Sequence, residues 1–390
     1  MRVLHVSPYF APAFIYGGPP RSVLGLCRAL RDAGADVSVV TTTANGEAEL
    51  PPDLSWEARY EGVPVAYLPR SFPKRAFRAA VLGPLLAERL RAGLDLVHIH
   101  GCWNAFGWTA ARECRRAGVP FVLSPRGMLY PWSFARGRVR KWVSYHAFEQ
   151  RSLQAAAFIH ATSRAEAEVV DALGVGSRVV TIPNGIEDET RQVGARAADF
   201  RRRYGIAPDA VVVLFLGRLH PKKGIELLID GFRAATDARP SARLVVAGPG
   251  DPAYVAQLES RCGDLLRTRR VVFTGHLTGQ DRTLALASAD AFALTSYSEN
   301  FGLGIGEAMA AGLPVVVSRA CPWPTIEEWR AGWWIDATVP AVTSALTALL
   351  ADPAAARAMG ARGRQHVLEM FDWTQIGRRM LTAYEAALGN

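Results

Sequence analysis

Short apolar runs alternate with amphipathic stretches along the chain, and the alternation occurs twice. In the first half, Arg2–Val6, Val37–Thr41, Val63–Leu68, Asp95–His100, Phe121–Ser124, Phe158–Ala161 and Val179–Ile182 predict strands. Helical periodicity covers Pro20–Ala33, Val81–Ala92, Ala105–Ala117 and a long stretch, Val139–Ala155. Runs rich in β-branched residues suit strands buried on both faces, and their alternation with helices predicts a parallel sheet covered on both sides. Pro183-Asn184-Gly185 then signals a turn, and a charge-rich stretch follows to about Pro208. Val211–Leu216 opens a second series, with strands predicted at Leu244–Ala247, Val271–Thr274, Ala291–Thr295 and Leu313–Val317. The expectation is two doubly wound, Rossmann-like α/β domains, residues 1–190 and 205–372, followed by a last helix, Trp373–Leu388. Ligands of such sheets gather at the C-terminal ends of the strands.

Composition changes this picture little. At 390 residues the chain exceeds one compact core, and 49% hydrophobic with 21% charged residues is the make-up of a globular protein. Five scattered cysteines (Cys27, Cys102, Cys114, Cys262, Cys321) without a CxxC spacing predict reduced thiols in a cytoplasm. Pro8 closes the first apolar run, so no signal peptide is expected, and no segment approaches the roughly 18 apolar residues of a membrane span. Charge is more informative. The net charge is +9, yet residues 70–151 alone carry 15 basic and 4 acidic residues. Anionic lipid, nucleic acid and phosphorylated acceptors all fit such a surface.

Candidate chemistry lies at the predicted strand ends. Gly217-Arg218-Leu219-His220-Pro221-Lys222-Lys223-Gly224 follows the strand Val211–Leu216, and two of the four lysines of the chain fall there. Arg218 offers a planar fork and Lys223 a point charge, a pairing suited to a diphosphate leaving group, while a plain solvated basic loop is the usual fate of a lysine pair. Ser296–Ser318 (SYSENFGLGIGEAMAAGLPVVVS) reads as a loop, a short helix over Leu303–Ala311 and a strand. Glu299 in the loop and Glu307 in the helix are placed to accept hydrogen bonds from two sugar hydroxyls. On spacing alone they serve equally well as ordinary loop and helix-surface carboxylates. Gly17-Gly18 allows close approach of a backbone to a phosphate or sugar, or merely turns the chain. His98 and His100 project to one face of their strand, and no third ligand lies at a spacing that would complete a metal site.

The E-x7-E spacing of Glu299 and Glu307, followed by AMAAGLPVV and joined by the GR…KG motif, closely resembles the signature of retaining glycosyltransferases of family 4. That resemblance extends over nearly the whole chain and implies the GT-B architecture, with the two domains facing a cleft. It implies that residues 1–190, joined by the tail helix 373–390, bind the acceptor and that residues 205–372 bind a nucleotide-diphosphate sugar. Glu307 would hold the ribose and Glu299 lie near the donor sugar. Phe301, Gly302 and Leu303 would reach the sugar and diphosphate through backbone amides. Arg218 and Lys223 would neutralise the diphosphate, Gly17 and Gly18 would face it, and Leu277 would sit near the base. No cofactor and no metal are implied, and the chain has no D-x-D pair to support a metal-dependent alternative.

One position departs from the family. Many relatives have a histidine where Arg126 stands in Ser124-Pro125-Arg126-Gly127. An arginine stays protonated and cannot act as a base, but it can stabilise a leaving diphosphate. His100 remains a candidate for donor or acceptor contact. Trp132, Arg136, Arg138, Arg140, Lys141 and Trp142 interleave aromatic rings with cations. No nucleic-acid-binding module accompanies them, so a face toward a membrane or a lipid-linked acceptor competes with a plain solvated helix. The expected activity is sugar transfer to a lipid-linked or cell-surface glycan precursor, at the inner face of the membrane. Two alternatives are a nucleotide-sugar 2-epimerase and a non-catalytic nucleotide-sugar-binding partner in glycan assembly.

Overall fold

The computed structural model describes residues 1–389 except 57, 136, 137, 193–195, 237 and 238, and leaves out the side chains of residues 134, 135, 138–140, 191 and 192. The chain divides into two units, Met1–Gly185 with Trp373–Asn390, and Ile186–Asp372.

In the first unit, seven parallel strands run in the order Val179–Thr181, Phe158–Ala161, Phe121–Ser124, Leu96–His100, Arg2–Val6, Asp36–Thr42, Val63–Leu68, and a two-residue antiparallel strand, Arg59–Tyr60, edges the sheet. The order reverses between Arg2–Val6 and Leu96–His100, which are hydrogen-bonded neighbours. Period-two alternation splits the core between the two faces. Leu4, Val6, Val97, Ile99 and Leu123 pack on one face beneath the helices Leu82–Arg91 and Ala105–Ala117. Val3, Val37, Val39, Leu96 and Val122 pack on the other with Leu26, Leu30, Met380 and Tyr384, which come from the helices Gly18–Asp32 and Trp373–Leu388. Each fully buried aliphatic side chain of this kind contributes roughly 1.5–3 kcal/mol.

The last helix is fitted closely to the first. A Cβ at Gly25 would lie 2.3 Å from the Trp373 ring, one at Gly185 would lie 2.2 Å from it, and one at Gly377 would lie 2.6 Å from Ala29 O. Glycine at these three positions lets the helix seat.

The second unit is a six-stranded, wholly parallel sheet in the order Val271–Gly275, Arg243–Ala247, Val212–Leu216, Ala291–Leu294, Val315–Ser318, Gly332–Ile335. Its order reverses between Val212–Leu216 and Ala291–Leu294.

Besides short strands such as Arg59–Tyr60, three elements differ from the sequence expectation. Gly332–Ile335 is an edge strand that the alternation did not suggest, because its two adjacent tryptophans obscure any period. The helix expected over Val139–Ala155 is interrupted: α-helix over Arg138–Ser144, π-helix over Tyr145–Glu149, then α-helix again over Gln150–Ala155. The strand expected at Leu313–Val317 begins at Val315, since Leu313 and Pro314 are still completing the turn after the helix. No single helix among the described residues is long and apolar enough to cross a membrane.

Candidate functional site

The strand reversal in the second unit brings two loops together. The loop after Val212–Leu216 forms a single helical turn, Pro221–Lys223, with the His220 ring accepting from Lys222 N at 3.1 Å. Gly224 ends the turn at φ 59°, and a Cβ there would lie 2.3 Å from Thr295 O. Only glycine meets both demands. The loop after Ala291–Leu294 is pinned to the first by Thr295 Oγ1 donating to Gly224 O (2.7 Å) and by Tyr297 N donating to Lys222 O (2.8 Å). Leu219 N, donating to Pro249 O at 2.7 Å, ties in the loop after Arg243–Ala247.

That pinning sets the charges. Lys223 Nζ lies 2.5 Å from Glu299 Oε1, which also accepts from Ser296 Oγ at 2.7 Å. Burial works to raise the Glu299 pKa, but the Lys223 charge and the two hydrogen bonds outweigh it and hold the carboxyl below the ordinary glutamate value. Burial lowers the pKa of neighbouring Lys222. Arg218 is exposed at the strand end.

Gly302, at φ 78° and ψ 56°, begins the helix Leu303–Ala310. The Phe301 ring packs on Trp323 and Phe371, with centroids 5.2 and 5.8 Å away, and Phe301 O accepts from Trp323 Nε1 at 2.5 Å. The Phe301 side chain therefore belongs to the core. Leu277, just past the strand Val271–Gly275, is buried as well. Glu307 is not a helix-surface residue: it is buried and ion-paired through Oε2 with Arg282, which is itself buried. Nothing in the sequence around Arg282 marks it as this partner.

The first unit collects polar groups at its own strand reversal. Arg126 is 8% exposed and has φ 56°, an uncommon backbone setting for a residue with a side chain. Its Nη1 donates to Ser22 Oγ (3.0 Å) and Asn184 Oδ1 (2.9 Å), and its Nη2 donates to His100 Nδ1 (3.2 Å). Burial lowers its pKa to about 10, which still leaves it charged at neutral pH. Glu166 braces the loop by accepting from Gly127 N at 2.5 Å. Gly17, at φ 86°, precedes the helix Gly18–Asp32, whose second and third residues, Pro19 and Pro20, lack N–H groups.

The expectation that His98 and His100 lack a third ligand fails, because His5 reaches them from the adjacent strand. The three imidazoles each bring a ring nitrogen within 4.8 Å of the others. An arginine only donates, so His100 Nδ1 must accept from Arg126 and Nε2 carries the ring hydrogen. Nε2 then donates to His5 Nδ1, 2.9 Å away. Neither nitrogen of His100 keeps a free lone pair, and the donor set does not fit a metal ion. His98 Nδ1 is 2.6 Å from the Tyr384 hydroxyl. Burial, followed by the Arg126 charge, brings the His5 pKa down to about 3, and burial brings His160 to about 3. Burial likewise places His98 and His100 well below the ordinary value. All four rings are neutral at pH 7.

Arg136 and the side chains of Arg138 and Arg140 lie outside the described residues. Lys141 donates to Ser133 O and lies 5.8 Å from the Trp103 ring centroid.

Comparison with known proteins agrees with both halves. The model "Glycosyltransferase Family 4" matches residues 16–190 and the model "Glycosyl transferases group 1" matches residues 197–366. The chain is 30% identical to the GDP-mannose-dependent alpha-(1-6)-phosphatidylinositol monomannoside mannosyltransferase of Mycolicibacterium smegmatis, over 76% of this chain and 79% of that protein. It is 31% identical to the D-inositol 3-phosphate glycosyltransferase of Xylanimonas cellulosilytica, over 99% of this chain and 96% of that one. Among solved structures, Anabaena HepE in complex with UDP and glucose superposes with a TM-score of 0.76 at 21% identity, covering 99% of this chain and all of that one. Sucrose-phosphate synthase from Thermosynechococcus elongatus gives 0.74 at 22% identity, with both chains fully covered. The chain is thus a family 4 glycosyltransferase, built on the GT-B fold.

Proposed function

We propose that the protein transfers a sugar, with retention and without a metal, from a nucleotide-diphosphate sugar to a lipid-linked or cell-surface glycan precursor at the inner face of the membrane. One observation carries the donor half of this reading: the loops bearing Lys223 and Glu299 are hydrogen-bonded together at the strand reversal of the second unit, where open α/β sheets take their ligands. Arg218 and Lys223 neutralise the diphosphate as the bond from the sugar breaks. Glu299 orients the sugar and Glu307, held by Arg282, accepts from the ribose. The acceptor oxygen attacks on the face from which the diphosphate departs. Its proton passes to the leaving phosphate oxygen, so no side chain need serve as base. Arg126 contributes a fixed positive charge in the unit that takes the acceptor. HepE was solved with UDP and glucose, and the mycobacterial relative is named for a GDP-mannose donor and a phosphatidylinositol mannoside acceptor, which supports a nucleotide-sugar donor and a lipid acceptor here.

A thermal-shift panel of UDP-, GDP-, ADP- and TDP-sugars tests the donor half, because a ligand of the folded state raises the melting temperature. One sugar nucleotide should stabilise the protein, and turnover with a lipid-linked acceptor should give product of unchanged anomeric configuration. Donor isomerisation without transfer would favour a 2-epimerase. Tight donor binding with no turnover would favour a non-catalytic partner.

A further inference from the structure

Among the described residues two arginines are buried, Arg126 in the first unit and Arg282 in the second. Arg282 is neutralised directly, by Glu307. Arg126 is not: Ser22 Oγ, Asn184 Oδ1 and His100 Nδ1 accept its hydrogen bonds, and all three groups are neutral. Glu166 is the carboxylate whose charge Arg126 feels most. Its oxygens, however, accept from Gly127 N (2.5 Å), Thr162 N (2.8 Å) and Thr162 Oγ1 (3.0 Å). A buried cation is ordinarily paired, because its desolvation is otherwise uncompensated. Arg126 is instead oriented by its neighbours and left charged.

Its five N–H groups are not all used. Nη1 makes two of the hydrogen bonds and Nη2 one, so one hydrogen of Nη2 remains, and Nε has no partner among the described residues. Two donors on one guanidinium plane suit two oxygens of a single oxyanion. Arg126 and the groups that orient it come from four places: the helix Gly18–Asp32, the end of Leu96–His100, the loop after Phe121–Ser124 and the segment after Val179–Thr181. The strands among them all present their C-terminal ends, where open α/β sheets take ligands. Arg126 and Gly127 are successive left-handed residues, at φ 56° and 74°, and such backbone persists where the surroundings over-determine it. The field of the unit favours a multiply charged ligand, since residues 70–151 carry 15 basic and 4 acidic residues.

We propose that Arg126 seats a phosphate group carried by the acceptor, through Nε–H and the remaining Nη2–H, while His100, Ser22 and Asn184 hold the guanidinium in place. A neutral imidazole suits that task, because it accepts a hydrogen bond from the arginine without cancelling its charge. The proposal rests on the reading of the first unit as the one that takes the acceptor. It narrows that reading to phosphorylated acceptors. Its first test needs neither donor nor acceptor.

Inorganic phosphate is the probe. The melting temperature of the wild type should rise with millimolar phosphate, measured against chloride at equal ionic strength. Lys223→Ala should keep that rise, which separates this site from the proposed diphosphate clamp. Arg126→Gln should lose it, and Arg126→Lys should weaken it several-fold, a point charge replacing the fork. Ser22→Ala removes one orienting acceptor and should weaken it too, which keeps the test open if Arg126→Gln does not fold. A merely structural arginine would shift the melting temperature and leave the phosphate response intact. That result would overturn the proposal, as would no response in the wild type or a response lost in Lys223→Ala. In turnover, phosphate should compete with the acceptor and not with the sugar nucleotide, and its inhibition constant should rise at least about tenfold in Arg126→Gln. Competition with the sugar nucleotide would overturn the acceptor as the source of the phosphate. Sugar transfer by a protein without any phosphate response would overturn this inference alone. An Arg126-dependent response in a protein that transfers no sugar would overturn the transfer reading alone.

Discussion

Lys223 Nζ sits 2.5 Å from Glu299 Oε1, so a cation proposed for the diphosphate and a carboxylate proposed for the sugar are bonded to each other. The pair fixes both groups on one rigid pair of loops, and it links the electrostatics of one to the other.

Lys223→Ala should therefore have two separable effects. Turnover should fall roughly 100-fold or more, as for loss of one donor to a developing oxyanion. Stability should fall about 1–3 kcal/mol, because Glu299 keeps its burial and loses its partner. Adding Glu299→Gln should recover the stability and not the turnover. Urea unfolding and initial rates check the two effects, and near wild-type turnover in a folded Lys223→Ala protein would remove Lys223 from the clamp.

Arg282→Ala should cost about 3–5 kcal/mol of stability by leaving Glu307 buried without its counter-charge. Arg282→Ala/Glu307→Gln should regain much of that stability. Calorimetric titration with the nucleoside diphosphate should show at least about tenfold weaker binding in both variants if Glu307 is the ribose acceptor, since it is misplaced in one and gone in the other. Unchanged affinity in the double variant would dissociate Glu307 from the ribose.

Chelation should leave activity unchanged. On the proposed reading Lys223 and Arg218 supply the positive charge that a cation supplies elsewhere, and His100, its two nitrogens committed to Arg126 and His5, offers no lone pair. Loss of turnover in EDTA that magnesium restores would contradict this.

The neutral imidazoles predict acid lability. About a unit or more above pH 6.5, His5 and His160 are uncharged both folded and unfolded and contribute almost nothing to the pH dependence. Below it, the unfolded chain takes up protons that the folded protein refuses until about pH 3, so stability falls with falling pH by up to about 1.4 kcal/mol per unit for each ring. Glu149 and Glu166, whose pKa values burial raises, act in the opposite sense. The histidine contribution is therefore read by difference: denaturant midpoints of His5→Gln should fall less than those of the wild type between pH 7.5 and 5. Parallel curves would show that His5 is not held neutral.

The fold was largely legible because parallel strands buried on both faces write themselves as β-branched runs, and most strands lie within a residue or so of those runs. What alternation does not encode is adjacency. His98 and His100 are visibly on one face of a strand, but that His5 joins them follows from strand order, fixed by packing across more than 90 residues. Lys223 and Glu299 were both legible as strand-end residues, while their bond depends on two loops pinned by backbone groups that any sequence possesses. Arg282 left no trace, since a lone arginine on a helix is ordinarily solvated. The π turn was equally hidden: α-helical periodicity continues through it in the sequence, and the burial of Glu149 alone hints that the register has slipped.

Trp373 and Tyr384 give the order of the chain a consequence for its synthesis. When the ribosome has released residues 1–185, the sheet that they form still lacks the ring seated against Gly25 and Gly185, and His98 lacks its hydroxyl partner. Residues 186–372 have every strand of their own sheet to hand as soon as they emerge. At roughly 5–20 residues per second, the N-terminal unit waits some ten to forty seconds for its closing helix. The part of the protein made first is completed last, and a chain cut before Trp373 would lose the integrity of its beginning rather than its end.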